Sequence, residues 1–369
     1  MVKRRPRQVG FKDLLLGLFL FLLLWADQQF LGIDLGGESR DGDVVLDPAN
    51  VIEVLFTTPM FPDKASNHHG GPDEALTHAI DAASSSVDMA MYNLDLTRVA
   101  DALIRADKRG VHVRLVTDND YEDQLGPVRL RSAGIPVITD GPGPLMHNKF
   151  TVIDGYEVWT GSWNLTDSDT YRNNNNVVVI RSHAIAENYT TEFNEMFEDR
   201  SFGATSDATE PNPRVNLGPV LVETFFESEG DARSRIVELI DGAALSVRFL
   251  AFILTDDQIA HAIIERHRAG VEVAGIVEAR NVGASGADYA TLRNAGVDVI
   301  ADGNPYIMHH KVIIIDDETV ITGSYNFSVS AADQNDENVL ILHSSEVAET
   351  YLEEFNRVRQ QASDQSAEG

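Results

Sequence analysis

Two stretches of the chain carry histidine, lysine and aspartate at one spacing, 162 positions apart: His147-Asn148-Lys149-Phe150-Thr151-Val152-Ile153-Asp154 and His309-His310-Lys311-Val312-Ile313-Ile314-Ile315-Asp316. Each runs on, at the same distance, into a Gly-Ser-aromatic-Asn tetrad, Gly161-Ser162-Trp163-Asn164 and Gly323-Ser324-Tyr325-Asn326. Histidine, with an ordinary pKa of about 6.5, can attack as a nucleophile or carry a proton at neutral pH. Lysine is a compact positive charge, and a side-chain amide can donate to an oxyanion. The doubled set suits a reaction at phosphorus. One histidine attacks to give a phosphohistidine, while the second protonates the departing oxygen and later deprotonates water. Two are needed because both jobs fall in the same step. Lys149 and Lys311, with Asn164 and Asn326 as amide donors, are the expected partners of the non-bridging phosphate oxygens. The chain has six lysines against 23 arginines, and two of the four beyond the N-terminal segment fall in these motifs, so the positions select an ammonium.

The pattern His-x-Lys-x4-Asp-x6-Gly-Ser-x-Asn, present twice, resembles the signature of the phospholipase D superfamily, and the resemblance extends from about Val51 to Arg359. It implies a phosphodiesterase that needs no metal or other cofactor and works through a covalent phosphohistidine, with both motifs meeting where two halves join. Carried onto this chain, it makes His147 the nucleophile and His309 the general acid. Asp154 and Asp316 become supporting residues that fix local structure. Fourteen residues after each tetrad glycine, family members usually carry an acidic or amide residue that bonds the back of a catalytic histidine; here these positions hold Asn175 and Glu337. A carboxylate stabilises an imidazolium, whereas an amide orients the ring without favouring its charge. If each position serves the histidine of its own half, Glu337 keeps His309 protonated as an acid and Asn175 leaves His147 neutral to attack.

Other residues carry weaker signals. Ser162 and Ser324 could donate to the phosphate or cap a turn, and Trp163 and Tyr325 could wall a pocket or fill a core. His310 alternates with His309 and Lys311 along a strand and should point away from them. His68-His69, in a Gly/Pro-containing loop, reads more readily as a solvated pair than as metal ligands. The Asn-x-Ser/Thr triplets at Asn164, Asn188 and Asn326 read as accidental, because modification at two of them would block the motif.

The elements that must hold these residues are also duplicated. Ser86-Val87-Asp88-Met89-Ala90-Met91-Tyr92 matches Ser246-Val247-Arg248-Phe249-Leu250-Ala251-Phe252, and Arg109-Gly110-Val111 matches Ala269-Gly270-Val271, both at a shift of 160. A repeat this long is a duplicated domain and not a solenoid. In the first half, residues 54–56, 87–92, 111–116, 150–153 and 177–180 are short apolar runs that read as strands. Residues 74–83, 97–109 and 184–197 space apolar side chains at three and four, as helices packed on a sheet do. The expected fold class is α/β: two tandem phospholipase D-like domains, each a mixed or mostly parallel sheet flanked by helices, packed about a pseudo-twofold axis.

Composition sets the surroundings. The chain of 369 residues has no cysteine, which excludes disulfides, thiolate catalysis and cysteine-bound metal. Residues 1–26 put basic residues before the apolar run 14–26, too short for the roughly 20 residues that span a bilayer, and read as a signal peptide or N-terminal anchor. An exported, secreted or periplasmic protein follows. Residues 27–50 form an acidic lead-in, 51–198 the first domain, 199–218 a polar linker, 219–359 the second domain, and 360–369 a disordered tail. Without residues 1–26, 24 basic and 57 acidic residues leave a formal charge of −33. That charge disfavours gathering a polyphosphate strand. The expected substrate is therefore a phospholipid at a membrane surface, hydrolysed at its head-group phosphodiester, with no obligate protein partner. A secreted nuclease acting on nucleic acid is the alternative, and a cardiolipin-synthase-like transferase the next. A catalytically dead scaffold is disfavoured because both motifs are complete.

Overall fold

In the first half the strand and helix signals alternate, and the elements follow them. The computed structural model describes residues 51–205, 210–227 and 230–368. In chain order the first half holds β1 (Ile52–Phe56), α1 (Pro72–Ala82), β2 (Ser86–Met91), α2 (Thr97–Lys108), β3 (His112–Thr117), α3 (Leu125–Ala133), β4 (Val137–Thr139), β5 (Lys149–Ile153), β6 (Glu157–Gly161), the short α4 (Asp167–Tyr171), β7 (Asn176–Arg181) and α5 (His183–Asn194). An added strand, β8 (Arg214–Leu217), leads into the second half. That half holds β9 (Val220–Glu227), α6 (Ala232–Gly242), β10 (Ser246–Ala251), α7 (Asp257–Arg268), β11 (Glu272–Val277), α8 (Tyr289–Asn294), β12 (Asp298–Ala301), β13 (Lys311–Ile315), β14 (Thr319–Gly323), α9 (Val329–Asp333), β15 (Glu337–His343) and α10 (Ser345–Glu368).

The first sheet is ordered β1-β7-β6-β5-β2-β3-β4. Read from the same end, the second repeats it as β9-β15-β14-β13-β10-β11-β12, with β8 added at the β9 edge. In each sheet the strands β2-β3-β4 or β10-β11-β12 run parallel, while the rest pair antiparallel, so both sheets are mixed. The parallel steps need crossover helices, and α2 and α3 in the first half and α7 and α8 in the second supply them. Val99, Ala100, Leu103 and Ala106 bury one stripe of α2, and Gly110 then takes φ +93°, the left-handed turn the sequence signals before β3.

One face of each sheet packs on helices of its own half. Leu76, Ile80, Leu103, Met89 and Leu115 belong to one such core, and Ile236, Ile240, Ile263, Phe249 and Ile313 to the other. A third core is common to both halves. It joins Val152, Val178, Tyr189 and Phe193 to Phe226, Val312, Ile314, Tyr351 and Phe355, so α5 and α10 lie between the sheets. Both halves belong to one compact unit.

Two boundaries differ from the sequence reading. The end of the 199–218 linker is not loose: β8 pairs with β9 as a hairpin at the sheet edge. The 360–369 tail, expected to be disordered, continues α10 as far as Glu368. Ala362 is buried there, and a side chain at Gly303 would meet its Cα at 2.5 Å, so the helix end is anchored by close backbone approach. The 1–26 and 27–50 segments lie outside the described residues. Among those described, no helix is long and apolar enough to cross a membrane.

Candidate active site

Lys149 and Lys311 are the first residues of β5 and β13, central strands buried along their whole length. Each catalytic-type histidine sits two residues earlier, where the chain enters the sheet. Four backbone hydrogen bonds fasten these entries across the halves. His147 donates its amide N–H to Asp336 and Asp336 donates to Leu145, at 3.0 and 2.9 Å. In the mirror arrangement, His309 donates to Asn174 and Asn174 to Ile307, both at 2.9 Å. Each half thereby lays the start of its last strand beside the motif of the other.

That crossing overturns the pairing expected from sequence. Glu337 does not serve His309; both its oxygens lie 2.8 Å from Nδ1 of His147. Asn175 serves His309, with its Oδ1 at 2.9 Å from Nδ1. The reason is sheet order. Within one half, β7 and β5 are separated by β6, about 10 Å at the usual strand spacing, too far for a hydrogen bond. The carboxylate therefore stands behind His147 and the amide behind His309, the reverse of the sequence expectation.

The serines hold these two residues. Ser162 Oγ donates to Asn175 Oδ1 at 2.9 Å, and Ser324 Oγ to Glu337 Oε2 at 2.6 Å. Each serine oxygen also accepts the amide N–H of the first or second residue of the adjoining strand, Asn176 or Asn338. Neither is left to cap a turn. The preceding glycines allow this approach: a Cβ on Gly161 or Gly323 would lie 2.3 or 2.2 Å from the carbonyl oxygen of Asn176 or Asn338.

The lysines are buried, and each donates to the carbonyl of its own histidine, Lys149 at 2.8 Å and Lys311 at 2.9 Å. Sequence reading missed the aromatic floor beneath them. Tyr92 lies under the Lys149 ammonium and edge-on to His147, and Phe252 does the same for Lys311 and His309, with ammonium-to-ring distances of 4.8 Å. The matched strand ends were the available signal. Burial lowers Lys149 to about 7, opposed by the Glu337 and Asp169 charges, and burial together with the neighbouring Lys149 charge holds Lys311 well below the usual lysine range. Burial, reinforced by the two lysines, also drives both histidines toward the neutral form. Burial pushes Glu337 up to about 8, against the pull of Lys149 and the Ser324 hydrogen bond. A substrate anion beside the lysines would favour their charged form and restore the ammoniums.

Asn164 is held with less freedom than expected. Asn164 Nδ2 donates to Asp169 at 2.7 Å, while Oδ1 of Asn164 and that of Asn326 have no hydrogen-bond partner. Asp154 and Asp316 lie away from the chemistry. Asp154 accepts the amide N–H groups of Ser84, Ser85 and Ser86, and Asp316 those of Ala244, Leu245 and Ser246, tying the motif strands to the turns before β2 and β10. Trp163 and Tyr325 fill the outer cores. His310 is fully buried between Asn176 and Glu354, and Asn148 occupies the matching place against Asn338 and Glu192. His68 bonds Asp63 and stacks on Tyr171. Asn188 is buried and bonded to the backbone of Asn212.

Duplicated acidic pairs behind the motifs also escaped sequence reading. Asp118 and Asp140 both accept the amide N–H of Met146, next to His147. In the second half Glu278 accepts that of Met308, with Asp302 beside it.

Comparison with known proteins agrees with this duplication. The family described as "Cardiolipin synthase, PLD-like domain" matches twice, over residues 76–197 and 236–359. The phospholipase D of Rickettsia prowazekii is 32% identical over 163 residues, 44% of this chain and 80% of that one. The human mitochondrial cardiolipin hydrolase is 35% identical over 130 residues, 35% of this chain and 52% of that one. The structure of phosphatidylserine synthase from Haemophilus influenzae covers 85% of this chain and 86% of its own at 14% identity, with a TM-score of 0.63, a likeness of fold. With one such domain in each half and both motifs complete, the chain belongs to the phospholipase D superfamily of phosphodiesterases.

Proposed function

We propose that the protein hydrolyses the head-group phosphodiester of a glycerophospholipid to phosphatidate, with His147 as nucleophile and His309 as general acid and base. The observation that carries the division of roles is the unlike support: a carboxylate at Nδ1 of His147 and an amide at Nδ1 of His309. Attack by Nε2 on phosphorus places positive charge on the His147 ring, and Glu337 stabilises that charge as it forms. His309 Nε2 gives its proton to the departing alcohol as the P–O bond breaks. The same nitrogen then takes a proton from water, which attacks phosphorus, releases His147 and leaves the phosphomonoester. Lys149 and Lys311 hold the non-bridging oxygens. These are the roles expected from sequence, although the pairing is the opposite: the carboxylate stabilises the phosphohistidine, and the amide leaves His309 readier to give its proton.

A lipid is favoured by the acidic body and by the names of the relatives, a phospholipase D and a cardiolipin hydrolase. The test offers the full chain phosphatidylcholine, cardiolipin and plasmid DNA, each with and without EDTA and beside His147→Ala. Release of phosphatidate, or of its cardiolipin equivalent, that survives EDTA and vanishes in the variant is the expected result. DNA cleavage with inert lipids would overturn the lipid reading. For the roles, His309→Ala should accumulate a phosphoryl-enzyme from an ester whose leaving group needs no proton; a labelled adduct in His147→Ala would reverse them.

A further inference from the structure

The halves differ at a second matched pair, six residues before Asn175 and Glu337. Position 169 on α4 is aspartate, and its counterpart 162 residues later on α9 is Ala331. Each half thus contributes one carboxylate at one of these two places: Asp169 with Asn175 in the first, Glu337 with Ala331 in the second. Asp169 is 6% exposed. Its Oδ2 accepts from the backbone N–H and Nδ2 of Asn164, at 3.1 and 2.7 Å, and Oδ1 accepts from Asn173. The same Oδ2 stands 4.0 Å from Nδ1 of His309, next to the Asn175 oxygen that bonds this nitrogen. Asn175 in turn donates to the backbone carbonyl of Asp169 at 3.0 Å, so amide and carboxylate form one unit behind the ring.

We propose that Asp169 is a positioning residue for His309, supplying from α4 the negative charge that Asn175 lacks. The arrangement separates two functions that Glu337 combines. Asn175 sets the ring orientation through its direct contact, and Asp169 favours the imidazolium from one layer further out. His309 therefore keeps enough support to hold its proton when the substrate anion arrives, without the direct ion pair that would slow its release. The proposal rests on the phosphodiesterase reading above.

The test compares two diesters, one leaving as an alkyl alcohol that must be protonated and one leaving as p-nitrophenolate that need not be. Asp169→Ala should lower kcat for the alkyl ester by roughly 100-fold and for the p-nitrophenyl ester by less than about 5-fold, the range expected when general-acid support is lost. The alkaline limb of its alkyl-ester profile should move to lower pH, because an imidazolium without its carboxylate loses its proton sooner. Asp169→Asn, which keeps the shape and drops the charge, should behave alike, and thermal melting establishes that both variants are folded. Combining Asp169→Ala with Asn175→Glu copies the second half onto the first and should return alkyl-ester activity to within about 10-fold of the parent. Equal loss on both esters without rescue, or unchanged activity in Asp169→Asn, would overturn the proposal. A parent enzyme inactive on both esters would overturn the phosphodiesterase reading and this proposal with it.

Discussion

Glu337 and Asn175 make two chemically identical imidazoles unequal, each by one hydrogen bond of 2.8 to 2.9 Å. Replacing Glu337 with glutamine keeps the contact and removes its charge. The expected result is a fall in kcat of about 100-fold, the same for esters with good and poor leaving groups, because in the proposed mechanism formation of the phosphohistidine is impaired before protonation matters. Single-turnover kinetics on both esters would check this, and a loss confined to the poor leaving group would contradict the assignment. At this scale the sequence was informative about identity and misleading about partnership. The motif named both histidines, both lysines and both supporting positions. It did not reveal that strand order carries each support to the opposite half. Asp169 gave no signal, since it lies in a five-residue helix outside the repeated pattern.

The elements around the site are tied down by carboxylates at their turns. Asp154 takes φ 54° and collects three backbone N–H groups, which hold its carboxyl far below the usual range. A depressed carboxyl contributes stability above its unfolded pKa and loses it as pH falls through the folded value. Asp154→Asn should therefore cost on the order of 2 kcal/mol at pH 7, and the gap in melting temperature from the parent should narrow below about pH 4. The Glu278–Asp302 pair has the opposite sign. Burial and the Asp302 charge raise Glu278 to about 7. Its ionisation is disfavoured in the folded state, so stability should fall as pH rises from about 4.3 through 7. Asp302→Asn should flatten that fall, as melting curves from pH 5 to 8 would show. Sequence reading identified the strands and helices from their apolar spacing and Gly110 from its place between them. It missed these acidic pairs because Asp118, Asp140, Glu278 and Asp302 meet only after the loops following β3, β4, β11 and β12 converge. The helical tail was missed for a similar reason: its polar composition hides one small residue, Ala362, docked on Gly303.

Across the whole molecule, the common core makes the halves interdependent. Tyr189 and Phe193 of the first half pack in the same cluster as Phe226, Tyr351 and Phe355 of the second. Phe226→Ala should cost about 3 to 5 kcal/mol and lower one melting transition without splitting it; two resolved transitions would show that the halves unfold independently. The duplication in sequence foretold two like sheets, and the repeated strand order bears that out. The common core was not legible, because residues on the two faces of a fully apolar strand look alike. The crossed supports have a further consequence for how such a site can change. In a symmetric pair of identical chains, one residue would have to stand behind both histidines, and any substitution would alter the two rings together. Joining the copies in one polypeptide frees the two positions to vary separately, so the linker permits an asymmetry that no true dimer of either half could encode.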